Sequence, residues 1–414
     1  MQRVDVPIEG DSRQTSGGDT PVLKVVSVLP AGRAADGRIV VTRKFVEGLA
    51  AFKQMWQGPM VVYMPPGAVS SGNLDDVALL PEEFPCQAEV LDRTQFAAAV
   101  SKDSRALVLL SLDDFHQGGL AEVCAGNGVP AVFVSEYSLK TRLQIVDATE
   151  RNPLRRLRRR IWETGEEKRR RRALKLAAGL QANGTPTYDD YRSIQPGACL
   201  FFDTRVKGET LATEEQVRAR LALGEWPRRL RMLFSGRLTA MKGVMDLVKV
   251  ASELRRRGVD FELSICGGGD LNGDLERAVE AEKLGDRVKL AGVLDFATGL
   301  VPLVKGSVDL FVCCHPQGDP SCTYLETMAC GVPIAGYDND AFAGVVRHSG
   351  AGWLAPIGDA SGLAAGIERL SRQPQELLEG SLAALRFARE HTFEKSFENR
   401  VAHLRAVAER TFKS

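Results

Sequence analysis

The chain has 414 residues, 44% hydrophobic and 26% charged, which is enough apolar material for more than one packed core and points to two domains. No window approaches the roughly 18 uninterrupted apolar residues of a membrane-spanning helix, and apolar residues occur along most of the length, so transmembrane and wholly disordered chains are both excluded. Lys and Arg number 54 against 53 for Asp and Glu, a net charge of +1 that argues against nucleic acid as a partner.

Residues 1–21 are polar and rich in Gly, Ser and Asp, without the charged end, apolar stretch and cleavage site of a signal peptide, and read as a disordered lead-in. Strands are predicted at Val22 to Leu29, Met60 to Met64, Ala106 to Leu112 and Val129 to Val134, with helices at Phe45 to Trp56 and Leu120 to Ala125 between them. Asn152-Pro153 reads as a cap and first helical position, and Leu154, Leu157 and Ile161 then fall on one stripe of a helix. That helix is strongly basic: from Arg151 to Lys175 there are twelve basic residues against Glu163, Glu166 and Glu167, so the rest of the chain is net acidic. Glu166 with Arg170 and Glu167 with Arg171 stand four apart in the favourable order. The stretch from Gly184 to Gly197, with Pro186 and Pro196, and the polar Thr204 to Pro227 place the inter-domain connection near residue 205.

The second half alternates more regularly. Strands are expected at Leu230 to Ser235, Phe261 to Cys266, Val288 to Leu290, Val308 to Cys314 and Val332 to Ala335, with helices from Val244, near Leu275 to Leu284 and from Ser321. The class is therefore α/β, two doubly wound parallel-sheet domains in sequence, and such domains hold ligand in a cleft at the carboxyl ends of their strands. The eight cysteines form no CxxC pair, and Cys313-Cys314 lie in an apolar run, which suits free thiols in a reducing cytoplasm. The five histidines form no HExxH or Cys/His cluster, so no metal site is expected.

Three constellations carry chemistry. Ser235-Gly236-Arg237-Leu238 ends a strand and Lys242-Gly243 opens a helix, placing two cations where a diphosphate would lie. Gly267-Gly268-Gly269-Asp270 follows the next strand, where glycines let a nucleotide lie against the backbone; the triplet completes neither GxGxxG nor a P-loop. The third runs from His315 to Pro333: a buried strand, a polar loop containing Asp319, a helix opening at Ser321-Cys322-Thr323 that would hold phosphate, Glu326 placed to bind a ribose, and Gly331-Val332-Pro333 as its end.

This ordered set, Gly236-Arg237-Leu238 with Lys242-Gly243, then the glycine turn with Asp270, then Glu326 with Ala329-Cys330-Gly331-Val332-Pro333, resembles the GT-B retaining glycosyltransferases of family four, also described as glycosyl transferases group 1. The resemblance covers about residues 230 to 400 closely and the first half by architecture alone. It implies two Rossmann-like domains facing a central cleft: an acceptor-binding domain over residues 22–204, a donor domain over 205–385, and a final helix over 386–414 that packs back across the hinge. It further implies metal-independent, retaining transfer of a hexose-type sugar from a UDP- or GDP-linked donor, with no other cofactor, to a glycan or lipid-linked acceptor in polysaccharide or glycolipid synthesis. Arg237 and Lys242 would hold the diphosphate and Glu326 the ribose. The family pattern has a second glutamate eight positions before the first, where this chain has Gly318; Asp319, one place later, is the candidate substitute toward the sugar hydroxyls. The chain also has Tyr337-Asp338-Asn339-Asp340 where the family carries a glutamate after a glycine pair.

On the acceptor side, Asp114 or His116 in Ser111-Leu112-Asp113-Asp114-Phe115-His116 is placed to orient a hydroxyl, and Glu136-Tyr137 after the next strand is an equivalent candidate. The basic helix is either a solvated surface or, over residues 154–172, a face for anionic lipid head groups; Trp162 is its one aromatic for stacking, which disfavours RNA. The protein is expected in the cytoplasm or peripherally on the inner face of the cytoplasmic membrane. Two other functions stay open: a different GT-B activity such as sugar-nucleotide epimerisation, and a non-catalytic membrane- or RNA-binding protein on a transferase scaffold.

Overall fold

A computed structural model of the chain describes residues 20–68, 76–222 and 225–412; nearly all of the lead-in expected over 1–21 lies outside them. The first half contributes β1 (Val22–Val26), β2 (Gly32–Arg33), β3 (Ile39–Thr42), β4 (Met60–Met64), β5 (Asp76–Leu79), β6 (Gln87–Val90), β7 (Ala106–Ser111), β8 (Ala131–Ser135), β9 (Gly179–Asn183) and β10 (Cys199–Phe201). Seven of these make one parallel sheet in the order β10-β9-β8-β7-β1-β4-β6, while β2, β3 and β5 form a small antiparallel sheet beside it. The second half contributes β11 (Leu230–Ser235), β12 (Phe261–Cys266), β13 (Val288–Gly292), β14 (Leu310–Cys313), β15 (Ile334–Tyr337) and β16 (Gly352–Ala355), a parallel sheet in the order β13-β12-β11-β14-β15-β16.

The helices that cover these sheets start where the sequence supplies a cap. Thr42 accepts from the amide of Phe45 and opens Arg43–Trp56; Ser138 accepts from Thr141 and opens Leu139–Thr149; Asn152, followed by Pro153, opens the basic helix Pro153–Leu176. Helix Arg43–Trp56 turns Leu49, Phe52 and Trp56 into the core against β1 and β4. In both sheets the chain reverses its direction of winding beside the first strand, at β1/β7 and at β11/β14, and the crevice at such a reversal is where a doubly wound sheet offers a site.

The final helix, Phe393–Phe412, leaves the second half and joins the core of the first, packing Phe397, Val401 and Leu404 against Leu23, Leu49 and Phe52. Phe52 and Phe397 meet edge to face at 4.9 Å. The two crossings between halves lie side by side, with the Phe393 amide donating to the Val206 carbonyl at 2.7 Å.

Two expected strands shift. The apolar run from Val22 stops pairing at Val26, because the Ser27 hydroxyl folds the chain back onto the Leu29 amide at 3.0 Å and leaves Val28 and Leu29 exposed. The strand expected at Val332 starts at Ile334, since Gly331 takes a left-handed φ of +66° and Pro333 follows. The segment from Gly184 to Gly197, which reads as connection, contains the helix Thr185–Tyr191 on the way to edge strand β10.

Candidate active site

The residues expected from the sequence to hold a donor gather at the carboxyl ends of β11, β12 and β14. Gly243, with φ +59°, is needed there for space: a Cβ would stand 1.9 Å from the Cys314 carbonyl oxygen, so only glycine lets helix Val244–Arg256 start against the end of β14. Gly267, φ +137°, plays the same part between the loops after β11 and β12, its would-be Cβ lying 1.9 Å from the Gly236 carbonyl oxygen. The glycine triplet thus serves loop-to-loop packing at Gly267 and Gly269, whereas the sequence suggested space for a nucleotide; the Cβ position of Gly268 faces Val293, and Asp270 is exposed.

Lys242 is buried, and its ammonium reaches Asp319 Oδ2 at 2.5 Å and Ser321 Oγ at 3.3 Å. Ser321 precedes helix Cys322–Ala329, and its hydroxyl meets Lys242 and Thr323 instead of capping that helix. His315, fully buried beside them, is held well below the usual imidazole range by burial and then by the Lys242 charge. It is therefore neutral, with Nδ1 3.2 Å from the Tyr324 hydroxyl. Glu326 sits one turn into the helix and accepts from Arg205 Nε at 2.7 Å, while that guanidinium lies over the Phe296 ring at 3.8 Å. Arg237 is exposed, with no ion-pair partner among the described residues, and its charge acts on the Tyr137 hydroxyl of the facing domain.

Across the cleft, the ends of β1, β7 and β8 open onto a cavity of about 640 Å³, within the range that holds a drug-sized group. Glu136 and Asp203 mark the side toward the second domain. Asp113 accepts from the backbone amides of Glu136 at 2.6 Å and Tyr137 at 3.3 Å, fixing the loop after β8. Burial, and then the charges of Asp113, Asp203 and Asp319, push the Glu136 carboxyl up to about 7 against the opposing pull of Lys44. Lys44 reaches Asp203 Oδ2 at 2.6 Å and Cys322 Sγ at 3.4 Å, so a helix of the first half, the connecting segment and the first residue of helix Cys322–Ala329 meet at one point. Thr141 donates to the Gly318 carbonyl at 3.2 Å and Gln144 accepts from its amide at 3.2 Å, which seats the Asp319 loop against the first half.

Of the sequence candidates, Arg237, Lys242, Asp319, Ser321, Cys322, Thr323 and Glu326 therefore share the second-domain wall. His116 stands apart. It is exposed, its ring 3.8 Å from that of Phe115, and it does not line the cavity, whereas Asp113, Asp114 and Glu136 do. Asp114 caps the turn that carries His116 and pairs with Arg93 at 2.8 Å. Sequence reasoning missed Lys44, Asp203 and Arg205. A lysine on an amphipathic helix reads as solvated, and the other two follow the three-residue strand β10, which is too short to show as an apolar run.

The basic helix exposes Leu154, Leu157, Ile161 and Trp162 on its outer side. Its inner side is held by charge: Arg142 pairs with Glu163 at 3.2 Å and with Glu167, which also accepts from the Tyr191 hydroxyl at 2.9 Å. Glu167 pairs with Arg171 as the spacing indicated, but Glu166 takes Arg169 at 2.7 Å, because Arg170 turns inward to the Leu112 carbonyl and Glu163. Among the described residues no helix is long and apolar enough to cross a membrane, and no group of three or more His, Cys, Asp or Glu side chains is arranged to hold a metal ion.

Residues 221–381, which carry the whole second-domain wall except Arg205, match the family described as glycosyl transferases group 1. The family match is confined to the second half, and the fold of the whole is GT-B. The chain is 34% identical over 166 residues to the amylovoran biosynthesis glycosyltransferase AmsK of Erwinia amylovora, a match covering 37% of this chain and 39% of that protein. It is 32% identical over 148 residues to the phosphatidyl-myo-inositol mannosyltransferase of Mycolicibacterium smegmatis, covering 35% and 37%. These matches span about two fifths of the relatives' length. The structure of Anabaena HepE in complex with UDP aligns with 93% of this chain and 99% of its own, at a TM-score of 0.63 and 14% identity.

Proposed function

We propose that this chain is a retaining, metal-independent glycosyltransferase that moves a hexose-type sugar from a UDP- or GDP-linked donor to a glycan or lipid-linked acceptor in the cytoplasm. The observation that carries this is the pairing of Lys242, Ser321 and the start of helix Cys322–Ala329 at the end of β14, with Glu326 one turn on, opposite a separate cavity in the first domain. Breaking the anomeric C–O bond leaves negative charge on the departing diphosphate, and Lys242, Arg237 and the helix amino end are suited to stabilise it without a metal ion. Glu326 would take the ribose, and Asp319, now on Lys242, would turn to the sugar hydroxyls. On the acceptor side, Glu136 and Asp114 are better placed than His116 to orient a hydroxyl. Relatives named as a mannosyltransferase of a phosphoinositide and a glycosyltransferase of amylovoran synthesis support this class, as does a fold neighbour solved with UDP.

A thermal-shift screen against UDP, GDP, ADP and dTDP tests the reading. A diphosphate at a hundred times its dissociation constant adds about 2.7 kcal/mol of stability, so UDP or GDP is expected to raise the melting temperature clearly. Failure of all four would defeat it.

The exposed stripe Leu154, Leu157, Ile161 and Trp162, among the exposed Arg155, Arg158 and Arg159, supports peripheral binding to an anionic membrane by residues 154–172. Flotation with vesicles containing anionic lipid is expected to carry the protein upward at low salt and release it at high salt. Equal recovery with neutral vesicles would leave the helix a solvated surface.

A further inference from the structure

The cavity in the first domain is built unlike a pocket for a free sugar. Its inner wall is Phe45, Leu49 and Phe52 from one helix face together with Phe397 of the final helix. Arg400 also reaches this wall, but its guanidinium is tied to Gln181 at 2.9 Å and lies 4.8 Å from the centre of the Phe52 ring and 5.2 Å from that of Phe397, so that wall offers rings more than charge. Glu136, Asp203 and Lys44 lie toward the second domain, whereas the other polar lining groups are committed within the chain: Asp113 to the Glu136 and Tyr137 amides, Asp114 to Arg93 and the His116 amide, and the Ser27, Thr42 and Ser111 hydroxyls to backbone amides. A sugar alone needs partners around its rim, whereas an amphiphile needs them at one end only.

The rim continues the pattern outward. Val28 and Leu29 line the cavity and are 43% and 41% exposed, held out by the Ser27 turn. The Ser27 carbonyl accepts from Gln117 at 3.3 Å, which sets this turn against the segment bearing Phe115. Phe115 is 53% exposed and stands edge-on to Trp162 of the basic helix at 6.0 Å. Exposed apolar side chains thus stand at the cavity rim, Val28 and Leu29, and on the segment linked to it, where Phe115 meets the basic helix.

Resting on the transferase reading above, we infer that the acceptor is an amphiphile: its hydroxyl-bearing head lies at Glu136 and Asp203, and the first carbons of an alkyl or prenyl chain lie along Phe45, Leu49 and Phe52 and leave past Val28 and Leu29. The head then faces the donor wall across the Lys44–Cys322 contact, and the chain points toward the face that carries the exposed apolar stripe.

Calorimetric titration of the full chain, with and without UDP, against octyl β-glucoside below its micelle concentration and against methyl β-glucoside reads this directly. Octyl glucoside is expected to bind at least tenfold more tightly than methyl glucoside. Val28→Asp and Leu29→Asp, both at exposed positions that leave the core intact, are each expected to weaken octyl glucoside at least fivefold with UDP affinity unchanged. Equal affinities for the two glucosides would overturn the inference. So would an octyl preference that survives both rim variants, or one abolished by Ile161→Asp, which would place the chain on the basic helix alone. Absence of binding to UDP and to the other nucleoside diphosphates would defeat the transferase reading, and the ratio between the glucosides would still decide what this cavity takes.

Discussion

Replacing Lys242 with alanine is expected to lower sugar transfer about a hundredfold or more, the scale of losing one positioned donor to a developing oxyanion, about 2.7–4 kcal/mol. Lys242 is the buried cation at the end of β14: His315 beside it is kept neutral by burial and by the lysine itself, and cannot take its place. Its ammonium is already aimed by Asp319 and Ser321 at the start of helix Cys322–Ala329, so little reorganisation is needed when a diphosphate arrives. The same contact makes the single variant ambiguous, because alanine strands a largely buried Asp319 carboxylate. Lys242→Ala combined with Asp319→Asn removes that charge and is expected to restore the melting temperature toward wild type without restoring turnover. Arg237→Ala carries no such structural cost, being exposed, and is expected to fall by a similar order with a weaker hold on UDP. Steady-state rates within about threefold of wild type in both Lys242→Ala and Arg237→Ala would end the assignment.

The contrast between these two cations also shows what a sequence can carry. The expectation that the stretches after β11 and β14 share one wall comes from the family resemblance, while local spacing puts Arg237 and Lys242 together after β11 and puts Glu326 on the helix after β14. The α/β alternation was legible for the same reason: buried parallel strands write themselves as apolar runs. What was not legible depends on contacts between distant residues. Gly267 looks like a ligand-facing glycine until the Gly236 carbonyl is found 1.9 Å from its Cβ position. Lys44, Asp203 and Cys322 lie in three separate stretches and acquire meaning only when the fold brings them to one point. His116 and Glu136 were indistinguishable as strand-end residues, and only the turn geometry sends one to solvent and the other into the cleft.

Arg142→Ala is expected to destabilise the first domain by about 3–5 kcal/mol, the cost of removing one member of a buried ionic cluster. Arg142 is 6% exposed and holds Glu163 and Glu167 of the basic helix, the Tyr137 carbonyl and, at 3.6 Å, Asp113. Asp113 in turn holds the amides of Glu136 and Tyr137, so one guanidinium fixes both the basic helix and the loop that faces the second domain. Lysine keeps the charge but loses the planar fork, and Arg142→Lys is expected to recover only part of the stability. The functional signature is a split between substrates. UDP affinity should stay near wild type, since the donor wall belongs to the other domain, while acceptor-dependent turnover falls and the acceptor KM rises as the Glu136 loop loses its anchor. Denaturation midpoints with UDP and acceptor titrations on Arg142→Lys measure both halves. An unchanged acceptor KM in a clearly destabilised Arg142→Lys protein would mean that the cluster holds the helix and does not position the site.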